Sequence, residues 1–132
     1  MVCVYCSEQT RVANSRHQKK ANQVWRRRQC LSCKAIFTTL ESIDTTQALR
    51  VQSDKRYVPF SRDKLLLSIY DSLRHRKTAT DDATALTGTI LSGLYPFIQN
   101  ATLKRGTIAE VAVVVLANFD KAAATSYRAF HL

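Results

Sequence analysis

Two cysteine pairs near the N-terminus constrain this chain more than any other feature. Cys3-x-x-Cys6 and Cys30-x-x-Cys33 each leave two residues between their cysteines, and 23 residues separate the two pairs. This short spacing lets both thiolates of a turn face one ion, and two such turns complete a tetrahedral site. The pattern therefore predicts one structural zinc ion held by Cys3, Cys6, Cys30 and Cys33.

Two other uses of the cysteines stay open from the sequence alone. Disulfides suit secreted domains, but the first six residues have neither the basic start nor the apolar core of a signal peptide. A redox or iron–sulfur role uses the same ligands. We expect a cytoplasmic protein that does not enter a membrane, because no apolar stretch approaches the roughly 20 residues that a bilayer span needs.

The positive charge is concentrated in the segment that holds the cysteines. Residues 1–40 contain eight Lys or Arg and one acid, whereas residues 41–132 contain twelve Lys or Arg and nine acids. Such a concentration indicates a polyanionic partner, because each phosphate contact displaces condensed counterions. A charged surface that only keeps the protein soluble is the alternative.

An arginine run leads directly into Cys30, so the metal would fix its position. In an extended strand Arg26 and Arg28 would share one face. Guanidinium groups suit phosphate oxygens and the guanine edge, and a solvated charged strand is the alternative. Trp25 can stack on a base or sugar, or pack inside the ribbon. The predicted DNA-binding residues are Arg11, Arg16, Trp25, Arg26, Arg27 and Arg28.

The residue patterns predict an α+β fold with two domains. Residues 1–46 hold short β-prone runs and no convincing helix. They are too few to fold by apolar burial alone, so they need a stabilising cross-link such as a bound metal. Residues 47–132 begin with a β-hairpin that turns at residues 53–55 and continue as helices.

Capping signals mark the predicted helices of residues 47–132. Ser61 can cap the first helix, and Thr80 begins the second. Thr107 and Glu110 match a Thr-x-x-Glu capping box ahead of an apolar run. Asp120 can cap the last helix.

Nothing in the sequence indicates catalysis. It contains no Gly-x-x-x-x-Gly-Lys loop, and no Cys/His pair or pair of carboxylates stands out. His17, His75 and His131 have no partner at metal-ligand spacing, so we expect them to be surface or cap residues. We therefore expect no catalytic residue and a protein that is not an enzyme.

The motifs and their order resemble the NrdR family, bacterial transcriptional repressors of ribonucleotide reductase operons. Pro59-Phe60-Ser61-Arg62-Asp63-Lys64-Leu65 resembles the Pro-Phe-x-x-x-Lys-Leu opening of that family's ATP-cone. The first half of the chain carries the more specific likeness, in Cys3-x-x-Cys6, Asn14-Ser15-Arg16, the run from Arg26 to Cys33 and Phe37-Thr38-Thr39-Leu40-Glu41.

The resemblance implies a zinc ribbon that binds paired operator boxes on double-stranded DNA. It also implies an ATP-cone that binds ATP or dATP and changes the oligomeric state of a homo-oligomer. Ser53 stands where the family has a lysine, and Val58 stands where it has an acid. The candidates for nucleotide binding are Arg50, Val51, Lys55, Arg56, Lys64 and Arg76.

Two other functions remain possible from the sequence. One is a general nucleic-acid-binding zinc ribbon with a helical dimerisation domain that senses no nucleotide, in which Lys64 is a solvated side chain. The other is an ATP-cone that serves as a regulatory subunit of the reductase itself. The arginine run beside the metal site argues against the reductase subunit.

Overall fold

The computed structural model describes all 132 residues. It divides into two compact units, Met1–Ile43 and Asp44–Leu132. The boundary placed by sequence between residues 46 and 47 falls inside a short helix, α1 (Thr45–Ala48). None of the helices combines the length and the apolar character that a membrane span requires.

The first unit is a three-stranded antiparallel sheet. Its strands are β1 (Thr10–Gln18), β2 (Gln23–Cys30) and β3 (Ile36–Glu41), in the order β1-β2-β3. Val12 pairs with Arg28 and Asn14 pairs with Arg27, so Ala13 is an extra residue that forms a bulge in β1. This β-rich unit with no helix confirms the fold class predicted for the cysteine-containing segment.

The first unit has almost no apolar core. Its only buried residues are Cys3 and Cys30, which are 2% and 0% exposed. Larger apolar side chains such as Val12, Ile36 and Leu40 lie exposed. Burial of apolar surface therefore contributes little to the stability of this sheet, and the sulfur cluster must hold it together.

In the second unit the predicted hairpin follows α1. Strands β4 (Arg50–Ser53) and β5 (Arg56–Pro59) pair antiparallel across a turn in which Asp54 has a φ of 53°. A third strand, β6 (Thr102–Lys104), pairs parallel with β4 and gives the order β5-β4-β6. Strand β6 was not predicted, because three residues are too short a pattern to identify a strand.

Four longer helices of the second unit bury a common core, and a short 3-10 helix, Tyr95–Phe97, follows the second of them. The four longer helices are α2 (Arg62–Ser72), α3 (Ala79–Leu94), α4 (Arg105–Phe119) and α5 (Lys121–His131). The fully buried large side chains of this core are Ile69, Leu73, Thr87, Ile90, Leu94, Leu103 and Leu116. A mostly helical domain with a hairpin at its start is confirmed.

Two of the predicted helix caps form, and the capping box does not. The Ser61 Oγ accepts a hydrogen bond from the Lys64 N–H at 3.2 Å, and Asp120 caps α5. The prediction for Thr107 was wrong, because β6 runs directly into α4 and the helix begins at Arg105. Thr107 lies inside the first turn, where its side chain caps nothing.

Asp120 joins the start of α5 to the connection between α2 and α3. Its carboxylate accepts from the Ala122 and Ala123 N–H groups at 2.9 and 3.0 Å. His75 Nε2 lies 2.9 Å from the same carboxylate, and a guanidinium nitrogen of Arg76 lies 3.2 Å away. The Ala123 N–H, followed by His75, lowers the pKa of Asp120 to about 2.

We predict that Asp120→Ala lowers the free energy of unfolding by about 0.5–2 kcal/mol, because α5 loses its cap. Asp120→Asn keeps the cap and loses the charge, so it should cost less at pH 7. The contribution of the charge is complete above the unfolded-state pKa of 3.8 and is lost as the pH falls toward about 2. Urea melts between pH 2 and 7 test this, and equal curves for wild type and Asp120→Asn across that range would contradict it.

Candidate functional site

The four cysteine sulfurs form a compact cluster in the first unit. All lie within 4.8 Å of one another, and no two are joined by a disulfide. Cys3 Sγ lies 3.7 Å from Cys33 Sγ, and Cys6 Sγ lies 3.5 Å from Cys30 Sγ. A Zn–S bond of about 2.3 Å implies sulfur edges of roughly 3.8 Å in a tetrahedron, so the cluster fits a structural zinc ion.

The two cysteine turns have the same backbone design. Ser7 and Lys34 each follow the second cysteine of a pair, and both have left-handed φ angles, of 61° and 62°. The Cys3 N–H donates to the Glu8 carbonyl, and the Cys30 N–H donates to the Ala35 carbonyl five residues on. Two matched turns therefore present two sulfurs each to one centre.

Within the cluster one thiolate is favoured and the next is opposed. Burial acts to raise the pKa of Cys30, but hydrogen bonds from the backbone of Cys33 and Ser32 outweigh it and lower that pKa to about 6. For Cys33 a backbone bond from Ala35 acts to lower the pKa, but bonding with Cys6 and burial raise it to about 12. A bound cation would relieve this repulsion by neutralising the additional thiolates.

The bulge at Ala13 places three of the predicted DNA-binding arginines on one face of the sheet. Arg11 lies opposite Gln29, and Arg16 lies opposite Trp25. These two arginines are five residues apart, and without the extra residue their side chains would point to opposite faces. Arg27 shares their face, because it is two residues from Trp25 and from Gln29.

This arginine face, defined by Arg11, Arg16, Trp25 and Arg27, is open to solvent. Its three arginines are exposed, and Trp25 is half-buried. The Arg11 guanidinium donates to Gln29 Oε1 at 2.7 Å, and the Arg16 guanidinium lies 6.0 Å from the Trp25 ring centre. Neither interaction neutralises a charge, so the face presents three full positive charges.

Arg26 and Arg28 share the opposite face, as the alternation predicted, and both bond within the sheet. Arg26 pairs with Glu41 at 2.9 Å and donates to Ser15 Oγ at 3.4 Å. Arg28 donates to the hydroxyls of Thr39 and Thr10 at 3.3 and 3.5 Å. Both side chains are half-buried, so the arginine run divides into outward and sheet-bonded members.

The second unit has a groove with two adjoining compartments. The apolar compartment, of about 360 Å³, lies between the hairpin, α2, α4 and α5. The polar compartment, of about 550 Å³, lies between the hairpin and the start of α4. Ser53, Arg105 and His131 line both compartments.

The comparisons with known proteins agree with these two units. Residues 1–41 match a family described as "Transcriptional repressor NrdR-like, N-terminal domain". Two proteins named "Transcriptional repressor NrdR" match over 98% of this chain. The one from Afipia carboxidovorans is 33% identical, and the match covers 85% of its length. The one from Lachnoclostridium phytofermentans is 28% identical, and the match covers 88% of its length.

This chain belongs to the NrdR family. A further relative of the same name, from Symbiobacterium thermophilum, is 38% identical over 76 residues, which is 58% of this chain. The match spans about half (51%) of that relative's length. The two longer matches extend family membership across both units.

The groove contains two of the six residues that the NrdR resemblance indicated for nucleotide binding. Val51 and Lys64 line the apolar compartment. Arg50 lies at a separate hollow beside Tyr57 and Asn100. Lys55 and Arg56 are exposed at the hairpin end, outside the groove lining.

Arg76 lies outside the groove and is bound within the protein. It pairs with Asp82 at 2.8 Å and with Asp120 at 3.2 Å, and its guanidinium stacks 4.6 Å from the centre of the Phe119 ring. The hydrogen bond to Asp82 raises the pKa of Arg76, and that from Arg76 lowers the pKa of Asp82. These contacts give the side chain a structural role between helices.

Sequence reasoning missed three groove residues, Arg105, Tyr127 and His131. His131 was expected at the surface or at a cap, and its ring stacks on Tyr127 with 4.1 Å between centroids. Arg105 reaches the groove because β6 pairs with β4 and places the start of α4 beside the hairpin. No local motif encodes this long-range pairing.

We predict that metal chelation unfolds the first unit and leaves the second folded. Trp25, the only tryptophan, lies half-buried in the first unit, so its emission should shift to longer wavelength when the sheet opens. The helical circular dichroism should persist, because every long helix lies in the second unit and packs around an apolar core.

Substitution of one ligand tests the same prediction. Cys30→Ser should reproduce the fluorescence change of the chelated protein. Ser32→Ala is the matched control, because Ser32 is exposed in the same turn and offers no thiolate. A zinc-free Cys30→Ser variant with the emission of wild type would contradict the structural role of the metal.

Proposed function

We propose that this chain is a zinc-dependent DNA-binding transcriptional repressor of ribonucleotide reductase genes, regulated by ATP or dATP through its oligomeric state. The observation that carries the proposal is the arginine face, which lies on a sheet that four cysteines hold in place. Membership of the NrdR family supports it, because the matched relatives are named transcriptional repressors.

The arginine face suits a duplex for electrostatic and geometric reasons. Arg11, Arg16 and Arg27 are exposed and form no ion pair. An arginine fork can bind a phosphate or the O6 and N7 atoms of guanine with two parallel bonds. The half-buried Trp25 ring, 6.0 Å from the Arg16 guanidinium, adds an aromatic surface to this face.

We predict that Arg27→Ala weakens binding to a ribonucleotide reductase promoter duplex by about 1–3 kcal/mol. Arg26→Ala should cost less, because Arg26 already pairs with Glu41. Fluorescence anisotropy at fixed salt measures both losses. Equal weakening of Arg27→Ala on a scrambled duplex would identify a phosphate contact rather than a base contact.

Arg74→Ala is the matched control for this experiment. Arg74 is exposed in the second unit and pairs only with Asp71, so the variant loses the same charge away from the arginine face. If Arg27→Ala binds the promoter as tightly as Arg74→Ala does, the proposed DNA face is wrong.

The groove of the second unit supports nucleotide binding. Its compartments have the volumes of small-ligand sites, and one is apolar while the other is polar. Val51 and Lys64, two of the residues indicated by the resemblance, lie in the apolar compartment. A nucleotide has matching parts, because its base is flat and apolar on both faces and its phosphates are anionic.

Regulation requires that each nucleotide binds different assemblies with different affinity, since a ligand with equal affinity for all of them shifts nothing. We therefore expect light scattering after size-exclusion chromatography to give different masses for the zinc-loaded protein without nucleotide, with ATP and with dATP. Unchanged mass with no nucleotide retained would instead support the general nucleic-acid-binding protein with a non-sensing second unit.

A further inference from the structure

The two compartments of the groove meet at a junction, which is defined by the residues that line both of them. Only Ser53, Arg105 and His131 line both compartments. Ser53 ends β4, Arg105 begins α4, and His131 ends α5. Three elements thus meet at this point. A ligand that occupies both compartments would contact the side chains of all three.

The charges around the groove favour an anion at the junction. Lys64 and Arg105 are the cations that line the apolar compartment, and no acid lines it. The polar compartment adds Lys104 together with two acids, Asp54 and Glu110. An anion at the junction therefore meets Arg105 and, on the apolar side, Lys64 without a carboxylate, whereas the two acids lie only on the polar side.

Arg105 is the charged residue of the junction. Burial, followed by the nearby charge of Arg105, lowers the pKa of His131 and so disfavours its protonated form. Ser53 carries no charge. The Arg105 side chain is exposed and forms no ion pair or side-chain hydrogen bond within the protein, so its full donor set is free for a ligand.

His131 and Tyr127 form the aromatic wall beside this arginine. Their rings stack at 4.1 Å with 26° between planes, and Tyr127 is buried. Both line the apolar compartment together with Arg105. A flat base and ribose fit that compartment, and the phosphates would then leave it past Arg105 into the polar compartment.

We propose that Arg105 is the phosphate-binding residue that makes this groove prefer nucleoside triphosphates over monophosphates. This inference rests on the proposed binding of nucleotides in the groove. A guanidinium bonds phosphoryl oxygens through charge-assisted pairs, so the gain grows with the number of phosphates that reach it. Lys104 is the other cation that lines the polar compartment.

Isothermal titration of the zinc-loaded full chain with ATP, ADP and AMP tests the proposal. We expect Arg105→Ala to weaken ATP binding about tenfold or more, with a smaller loss for AMP, so that the ATP-to-AMP affinity ratio falls. Arg105→Lys should keep part of the preference, because a lysine retains the charge and loses the planar fork.

Arg128→Ala is the matched control, because Arg128 is exposed on α5 three residues before His131 and does not line the groove. If wild type binds ATP and Arg105→Ala behaves as Arg128→Ala does, or if wild type binds ATP and AMP equally, Arg105 is not the phosphate residue. If wild type binds none of the three nucleotides, nucleotide sensing itself fails. Thermal melts that match wild type exclude misfolding as the cause of a loss.

Discussion

The four-sulfur cluster is the constraint on which the first unit depends. Only Cys3 and Cys30 are buried in the first unit, so the sheet has no apolar core to hold its strands. In such a unit the free energy of metal binding contributes directly to the free energy of folding. Cys30 is the last residue of β2, so a metal bound at the cluster anchors the end of this strand. The strand register that points Arg27 outward is counted from that anchored end.

The second unit obtains its stability differently, and that leaves its groove free for a ligand. Apolar side chains of all four long helices form its core, and Asp120 with Arg76 ties two of the helix connections together. Lys64 and Arg105 take part in neither the core nor an ion pair. The nucleotide proposed above would therefore bind these cations without breaking an internal ion pair.

Sequence predicted the parts of the structure that neighbouring residues encode. The cysteine spacing, the hairpin and the caps at Ser61 and Asp120 are local signals, and each is present in the structure. The bulge at Ala13, the pairing of β6 with β4 and the position of Arg105 depend on residues far apart in sequence. The spacing of apolar residues along the chain does not predict these features. The capping box predicted at Thr107 was wrong for the same reason, because the pairing of β6 determines where α4 begins.

One physical criterion separates the arginines that hold the protein together from those proposed to bind ligands. Arg26 and Arg76 already bond to carboxylates, so a phosphate must replace an existing partner and leave that carboxylate unpaired. Arg27 and Arg105 are exposed and bond to no carboxylate, so a phosphate displaces only water and counterions. The adjacent arginines of the run Arg26–Arg28 therefore differ in exposure and bonding because the strand alternates, and residue type or local charge density alone cannot distinguish them.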